Sequence, residues 1–471
     1  MSTNAPVHHR RSPRLTTSGR HRALSVAGLT LGLLIGGTGP VLPANGTTAA
    51  PTQQSNAPGD GWMESAPADQ NMDAATMEAA RTYAFQPDRH TQGVVITRGG
   101  EVVTEWYADG EGPRSWSASW SMAKSFTSAL VGIAISEGLI ESVDVSMADY
   151  FPDWRGTDKE AIRLRDVLHM ESGLKWNENY DPADIAGSDI IQMGIARDQL
   201  AYAASRPAEV PPGTRFNYSS GDTMLLSRVI EVATGRPADR YAQEKLFGPI
   251  GIDQVEWWRD GAGHTLTYCC LDTTSRNYAR MGLLYMRGGV WEGRQVVPAR
   301  WIEDSWTATE NSGGDYGFQW WIRQSDEVGT IYMMNGHDGQ FTYVIPELDM
   351  VIVRNGDFVK SQCDPVADPT LFGPYPPSGL APGRGTTPPE SWNHWEFLTP
   401  ILDSVTGPST AEATPGRQSH AATRNPQGEP MDPCTTDTTP PPTTTPTTTT
   451  RPTTPPSRPA TPVTASPAYT G

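Results

Sequence analysis

The stretch that decides the fold is Ser-Met-Ala-Lys at residues 121–124, followed by the apolar run Ser-Phe-Thr-Ser-Ala-Leu-Val-Gly-Ile-Ala-Ile at 125–135. Apolar residues recur in this run at spacings of three and four, which predicts a largely buried helix. Ser121 and Lys124 lie in its first turn, and their separation of three residues places both side chains on one helix face. A hydroxyl beside an amine is a candidate nucleophile and base. The helix dipole at this end also favours the negative charge that develops during acyl transfer.

A second match to the same pattern, Ser172-Gly-Leu-Lys175, serves as an internal control. It continues through a glycine-containing stretch into Trp-Asn-Glu-Asn-Tyr-Asp-Pro at 176–182, a composition typical of a loop. A serine without a helix behind it has neither a rigid support nor a helix dipole. The pattern therefore predicts chemistry at Ser121 and an ordinary turn serine at Ser172.

The two ends of the chain differ in composition from its middle. Residues 1–44 combine five arginines and no acid with an apolar, glycine-containing stretch at 23–37 and a small-residue cleavage site, which predicts a secretory signal peptide. Residues 45–70 are predicted to be a disordered leader and residues 406–471 a disordered tail rich in Thr and Pro. The tail could be an O-glycosylated spacer that keeps the domain near the cell wall, or it could have no function. The folded domain is expected at 71–405.

Charge and cysteine content narrow the class of function. Removal of five arginines changes the formal net charge from −17 to −22. So acidic a protein is a poor ligand for nucleic acid or anionic membranes, and no membrane insertion is expected after signal cleavage. The sequence contains neither a Cys-x-x-Cys pair nor a His-Glu-x-x-His motif, so no metal and no cofactor are expected. A secreted protein can form disulfides, and a bridge from Cys269 or Cys270 to Cys363 is predicted, preferably from Cys270.

The order of predicted elements indicates an α+β fold. Asn71 is expected to cap a first helix. A hairpin is predicted from Gly93–Arg98 and Glu101–Tyr107, and strands recur at 316–322, 330–334, 341–345 and 350–354. The intervening residues, about 125–310, are helical and rich in loops. Strands from both ends of the domain imply one antiparallel sheet flanked by helices, with an all-α insertion beside it. The active cleft is expected between the two.

Two further stretches of sequence make a catalytic role for the Ser-x-x-Lys motif more specific. Tyr218-Ser219-Ser220 lies at the start of a predicted helix, and Gly336-His337-Asp338-Gly339-Gln340 opens a predicted strand. Alone, each has a simpler interpretation, a packed aromatic residue and a hairpin turn. In this order and at these separations, however, the three motifs resemble the serine β-lactamase and penicillin-binding-protein superfamily. Within it, the chain is most similar to the class C-like branch that contains 6-aminohexanoate-dimer hydrolases and related esterases.

The resemblance implies a role for each matching residue. Ser121 would attack a carbonyl carbon and form an acyl-enzyme, while Lys124 and Tyr218 would handle its proton and activate water. The backbone N–H groups of Ser121 and Gln340 would form the oxyanion hole. Residues expected to contact substrate are Gly339, Ser220, Tyr180 and His337, of which His337 would hydrogen-bond either the Tyr218 side or the substrate. The sequence does not decide whether Lys124 or Tyr218 is the base; burial is expected to lower the pKa of Lys124 from ~10.4 to ~7–8.

Two departures from the superfamily pattern bear on substrate. Ser220 stands where β-lactamases of this branch carry Asn, and His337 stands where many relatives carry Lys, so a fixed positive charge for the β-lactam carboxylate is lost. These changes favour a secreted hydrolase acting on a neutral ester, amide or short peptide. The alternatives are a D-Ala-D-Ala carboxypeptidase or β-lactamase, and a catalytically silent protein that binds wall components.

Overall fold

The computed structural model describes residues 61–180, 184–356 and 392–410. The predicted signal peptide, most of the leader, nearly all of the tail, and both Cys363 and Cys434 lie outside these ranges. No helix within the described ranges is long and apolar enough to cross a membrane.

Within the described ranges, the centre of the fold is a six-stranded antiparallel sheet in the order β2-β1-β11-β10-β9-β8. Its C-terminal strand β11 pairs with the N-terminal strand β1, and the register aligns Val95 with Val353. The sheet therefore joins the two ends of the domain, as the sequence predicted. A three-stranded sheet, β3-β5-β4, and the β6-β7 hairpin complete the strands of the described residues. The strands are β1 Thr91–Arg98, β2 Glu101–Tyr107, β3 Trp116–Ala118, β4 Val255–Trp257, β5 Leu271–Thr274, β6 Val290–Trp291, β7 Arg294–Gln295, β8 Trp321–Ser325, β9 Gly329–Gly336, β10 Gln340–Ile345 and β11 Met350–Gly356.

Ten α-helices occur in the described ranges, and most lie in the predicted insertion. They are α1 Ala74–Ala84, α2 Ala123–Ser136, α3 Leu164–Leu168, α4 Asp189–Ile195, α5 Gln199–Ser205, α6 Ser220–Thr234, α7 Ala238–Ala242, α8 Ser275–Met286, α9 Ala299–Ser305 and α10 His394–Asp403. A π-helical segment, Gln243–Phe247, continues α7, and short 3₁₀ turns include Trp120–Met122 and His337–Gly339.

Successive residues of a strand point to opposite faces of the sheet, and both faces of the large sheet are covered by helices. On one face, Val94 and Ile96 pack with residues of the terminal helices α1 and α10, such as Phe397. On the other face, Val95 joins the larger core that contains Phe126 of α2. Helix α2 is buried from Ala123 to Ala134. The sheet thus supports α2 from one side while the helical insertion encloses it from the other.

Two local predictions are wrong. Asn71 was expected to cap the first helix, but Asp73 does so: its carboxylate accepts bonds from the N–H groups of Ala75 and Thr76, both at 3.2 Å. The strand predicted at 316–322 begins only at Trp321. Before it the chain turns at Gln319 (φ 64°), whose buried side-chain amide donates to the carbonyl oxygen of Leu168 at 2.8 Å.

Candidate active site

Ser121 lies in the 3₁₀ turn Trp120–Met122, which leads directly into α2. The preceding residue Trp120 has a φ of 43°, an uncommon conformation for a non-glycine residue. Ser119 fixes this turn to β5, because its hydroxyl oxygen accepts a bond from the N–H of Leu271 at 2.9 Å. The turn sets the Ser121 hydroxyl, half-buried, at the N-terminal end of a rigid buried helix.

Lys124 is 1% exposed and its ammonium nitrogen contacts three oxygen atoms. Nζ lies 2.9 Å from Ser121 Oγ, 3.0 Å from Ser220 Oγ and 2.9 Å from the carbonyl oxygen of Tyr268. Three oxygens occupy the three directions that a lysine nitrogen can use for hydrogen bonds. Burial lowers the pKa of Lys124 to about 8, although the negative charge of Glu178 acts in the opposite direction. A useful fraction of this lysine is therefore neutral near physiological pH.

Tyr218 lies just before α6, and its ring packs on Trp321 with centroids 5.3 Å apart. Lys124 Nζ lies 5.1 Å from the centroid of the same ring. Burial, together with the charge of Glu178, raises the pKa of Tyr218 well above 10.0, and hydrogen bonding with Ser121 and Trp321 opposes this shift only in part. The structure thus brings Ser121, Lys124 and Tyr218 together.

Glu178, which no sequence motif predicted as a site residue, lies in the loop before α4. Its Oε1 accepts the hydroxyl of Ser220 at 2.6 Å and that of Tyr180 at 2.7 Å. Its Oε2 accepts the N–H of Ser220 at 2.9 Å and the indole N–H of Trp176. Ser220, predicted to contact substrate, is 1% exposed and links Glu178 to Lys124. A carboxylate therefore belongs to the cluster around the candidate nucleophile.

The turn that contains His337 borders the same site. His337 Nδ1 lies 2.7 Å from a carboxylate oxygen of the buried Asp338. The other carboxylate oxygen of Asp338 accepts the indole N–H of Trp120 at 2.9 Å, so this turn is joined to the one that carries Ser121. Burial disfavours a charged His337, but hydrogen bonding and charge from Asp338 outweigh it and raise the histidine pKa above 6.5. His337 thus bonds Asp338 and packs beside Tyr180, with ring centroids 4.8 Å apart, rather than reaching toward Tyr218.

Gln340 opens β10, the position predicted for an oxyanion-hole donor. Its N–H donates to the carbonyl oxygen of His337 and closes the 3₁₀ turn, so a substrate oxygen would have to replace that bond. Gly339 has a φ of 77°, and a Cβ there would lie 1.9 Å from Arg354 Nη1. The same guanidinium donates to the Gly339 carbonyl oxygen at 2.7 Å. Gly339, predicted to contact substrate, therefore has a structural role in holding the turn.

Tyr180, the predicted substrate contact in the loop, is 36% exposed. Its hydroxyl is bound to Glu178 and its ring lies beside His337. Tyr180 is thus the exposed aromatic residue at the edge of the cluster, and its contact with substrate stays a prediction.

The predicted bridge between Cys270 and Cys363 is wrong: Cys269 and Cys270 form a disulfide with each other. Adjacent cysteines need no long loop to bring them together, and Cys270 has a φ of 64°, so the chain turns sharply at this point. The disulfide directly follows Tyr268, whose carbonyl oxygen binds Lys124. Glu178 could have been found from the sequence, because it lies in the loop at 176–182 that also contains Tyr180. The Tyr268 carbonyl could not, because a backbone carbonyl leaves no signal in the sequence.

Comparisons with known proteins identify similar sequences. A 6-aminohexanoate-dimer hydrolase from Paenarthrobacter ureafaciens is 27% identical over 285 residues, covering 56% of this chain and 72% of the relative. A candidate D-alanyl-D-alanine carboxypeptidase from Escherichia coli K12 is 31% identical over 124 residues, 25% of this chain and 28% of the relative.

Likeness to solved structures supports the same fold. A candidate 6-aminohexanoate-dimer hydrolase from Bacillus anthracis has a TM-score of 0.51 and 24% identity, covering 57% of this chain and 74% of that one. The α+β fold, with its antiparallel sheet flanked by helices, is that of the β-lactamases and penicillin-binding proteins. The sequence model of the Beta-lactamase family matches residues 69–356. With a match of this extent, the chain belongs to the Beta-lactamase family, within the superfamily of serine β-lactamases and penicillin-binding proteins.

Proposed function

We propose that this chain is a secreted serine hydrolase that cleaves an ester or amide bond through an acyl-enzyme on Ser121. The observation that carries the proposal is the buried Lys124 nitrogen, 2.9 Å from the Ser121 hydroxyl. An amine held there can take the serine proton as the oxygen attacks the substrate carbonyl.

The pKa values favour Lys124 over Tyr218 as the base of the free enzyme. With a pKa of about 8, roughly one Lys124 in ten is neutral at pH 7. The pKa of Tyr218 is raised above 10.0, so far less than one phenolate in a thousand is present at that pH. Tyr218 then acts as a hydroxyl that relays a proton, and not as a standing base.

The reaction proceeds in two steps. In acylation, Ser121 Oγ bonds to the carbonyl carbon, its proton passes to Lys124, and the leaving amine or alcohol departs with a proton returned through Lys124 or Tyr218. In deacylation, water gives a proton to the same groups, attacks the acyl carbon, and releases the acid and Ser121. The N–H groups of Ser121 and Gln340 would stabilise the oxyanion, each contributing about 3–4 kcal/mol by comparison with other enzymes.

The site favours a neutral ester, amide or short peptide as substrate. Among the described residues, no basic side chain other than the titrating Lys124 contacts Ser121, and Glu178 adds a negative charge nearby. The relative from Paenarthrobacter ureafaciens is named for hydrolysis of 6-aminohexanoate dimer, which supports the amide-hydrolase proposal. Secretion is proposed from the sequence of residues 1–44, and proximity to the cell wall from the tail.

A second candidate is a D-Ala-D-Ala carboxypeptidase or β-lactamase. The specific observation in its favour is the pair of His337 and Asp338, which raises the histidine pKa and could supply a positive charge for a substrate carboxylate. Acylation of Ser121 by a fluorescent penicillin would support this candidate, and its absence would leave the neutral-substrate hydrolase.

The test is turnover by the purified mature domain on a panel of p-nitrophenyl esters, linear amides and β-lactams. A fluorophosphonate probe should label Ser121, and Ser121→Ala should abolish both labelling and turnover. Labelling of another serine, or unchanged turnover in a folded Ser121→Ala variant, would refute the proposal. Absence of any labelling and turnover would favour a catalytically silent wall-binding protein.

A further inference from the structure

Glu178 accepts hydrogen bonds from Ser220 and Tyr180 of the candidate site, and the two proposed reaction steps assign it no role. We infer that Glu178 is a positioning residue: through Ser220 it directs the lone pair of neutral Lys124 at the Ser121 hydroxyl. The inference rests on the proposed function and extends it to a residue outside the Ser-x-x-Lys and Tyr-Ser motifs.

The hydroxyl of Ser220 has one proton, which it donates to Glu178 Oε1 at 2.6 Å. The same carboxylate accepts the N–H of Ser220 at 2.9 Å, so the contact is bidentate and fixes the start of α6 as well. With its proton committed to Glu178, Ser220 Oγ can only accept a hydrogen bond from Lys124.

Neutral Lys124 has two N–H bonds and one lone pair on its side-chain nitrogen. The carbonyl oxygen of Tyr268, 2.9 Å from Nζ, can only accept, and Ser220 Oγ at 3.0 Å is restricted to accepting by Glu178. Both N–H bonds are therefore used, and the lone pair is left to face Ser121 Oγ at 2.9 Å. Lys124 is thus oriented as a base before substrate arrives.

Loss of the carboxylate would remove this orientation. A Ser220 hydroxyl without a strong acceptor can donate to the lone pair of Lys124 and compete with Ser121 for it. The negative charge of Glu178 also favours the protonated form of Lys124, against the effect of burial. Glu178 therefore has two separable effects, one on the geometry of the base and one on its protonation.

A purely structural role for Glu178 is the simpler alternative, because it also bonds Tyr180 and Trp176. The matched control is Glu171, a 5% exposed carboxylate that accepts side-chain bonds from Thr309 and from Asn311 Nδ2, the latter at 3.0 Å. Glu171→Gln removes a buried, hydrogen-bonded carboxylate from a neighbouring segment. It is expected to leave the pH dependence of the reaction in place.

The experiment measures the rate of fluorophosphonate labelling of Ser121, and kcat/KM for a p-nitrophenyl ester, from pH 5 to 10 in the full chain. Glu178→Gln should lower both rates at pH 8 by about tenfold, mainly in kcat, since a substrate contact is not removed. It should also shift the acid limb of the pH–rate profile, where the rate rises with pH, to lower pH by about one unit. The reason is that the negative charge that stabilises protonated Lys124 is lost. Thermal unfolding of each variant monitors folding.

Ser220→Ala is the second variant if Glu178→Gln does not fold. It should also move the acid limb to lower pH, because Lys124 loses an oxygen acceptor and its link to the carboxylate. An acid limb that stays in place in the folded variants, with rates matching those of Glu171→Gln, would overturn the inference and leave the proposed function intact. Absence of Ser121 labelling in the unmodified chain would overturn the proposed function, and the inference with it.

Discussion

The chain contains two Ser-x-x-Lys segments, and the structure gives them opposite surroundings. Lys124 is buried and bonds Ser121, whereas Lys175 is exposed. Ser172 is itself buried, and its hydroxyl donates to the carboxylate of Asp222 at 2.7 Å. The difference arises from the residues that come after each serine: a buried helix in one case and a glycine-containing loop in the other. A three-residue separation of serine and lysine does not by itself bring the two side chains together; the buried helix that carries Ser121 and Lys124 does.

The largest expected effect separates the two serines. Ser121→Ala removes the candidate nucleophile and should lower kcat by at least about 10⁴-fold, as in other serine hydrolases. Ser172→Ala should keep turnover within a few-fold but lower the free energy of unfolding by about 1–2 kcal/mol, because a buried hydrogen bond to Asp222 is lost. Steady-state kinetics and urea unfolding measure both. Equal losses of kcat would show that the comparison between the two segments is mistaken.

The next effect separates the two lysines. Lys124→Met removes the base and should lower kcat/KM by about 10³-fold, within the range of general base catalysis. In the unmodified chain, kcat/KM should rise about tenfold per pH unit below pH 8 and level off above it, since Lys124 with a pKa of about 8 must be neutral to act. Lys175→Met should change neither the rate nor the profile. A flat profile from pH 6 to 9 would exclude Lys124 as the titrating base.

The two segments also indicate which features of the structure can be predicted from the sequence. The pattern of apolar residues identified α2 and the strands β1, β9, β10 and β11, because burial on regular elements leaves a period in the sequence. The turn at Gln319 was missed, since its cause is a bond from one buried amide to the distant Leu168. The contact of the Tyr268 carbonyl with Lys124 was missed for a related reason. Every residue has a backbone carbonyl group, so the sequence cannot distinguish the one that binds Lys124.

Asp222 connects the two segments, because it accepts from Ser172 and lies in the first turn of α6, just after Ser220. Burial raises the pKa of Asp222 to about 7. A carboxyl that keeps its proton longer in the folded state loses stabilising free energy as pH rises from about 4 to 7. Asp222→Asn should remove that loss, so the variant should gain up to about 4 kcal/mol relative to the unmodified chain at pH 8 and nothing near pH 3.5. Unfolding by urea at both pH values measures the difference, and parallel stability curves would contradict it.

The smallest expected effect concerns the segment that carries the Tyr268 carbonyl, the backbone oxygen that binds Lys124. The Tyr268 carbonyl that binds Lys124 precedes the Cys269–Cys270 disulfide, and Cys269 is anchored because its carbonyl oxygen accepts the indole N–H of Trp257 at 3.0 Å. Replacement of both cysteines by serine should therefore lower kcat only a few-fold, since Trp257 still fixes the segment. Peptide mapping by mass spectrometry without reduction should give one peptide containing both cysteines linked to each other. Recovery of Cys363 linked to either cysteine would show that the segment beside Lys124 is tied to a distant part of the chain, and the effect of the double substitution would then be far larger.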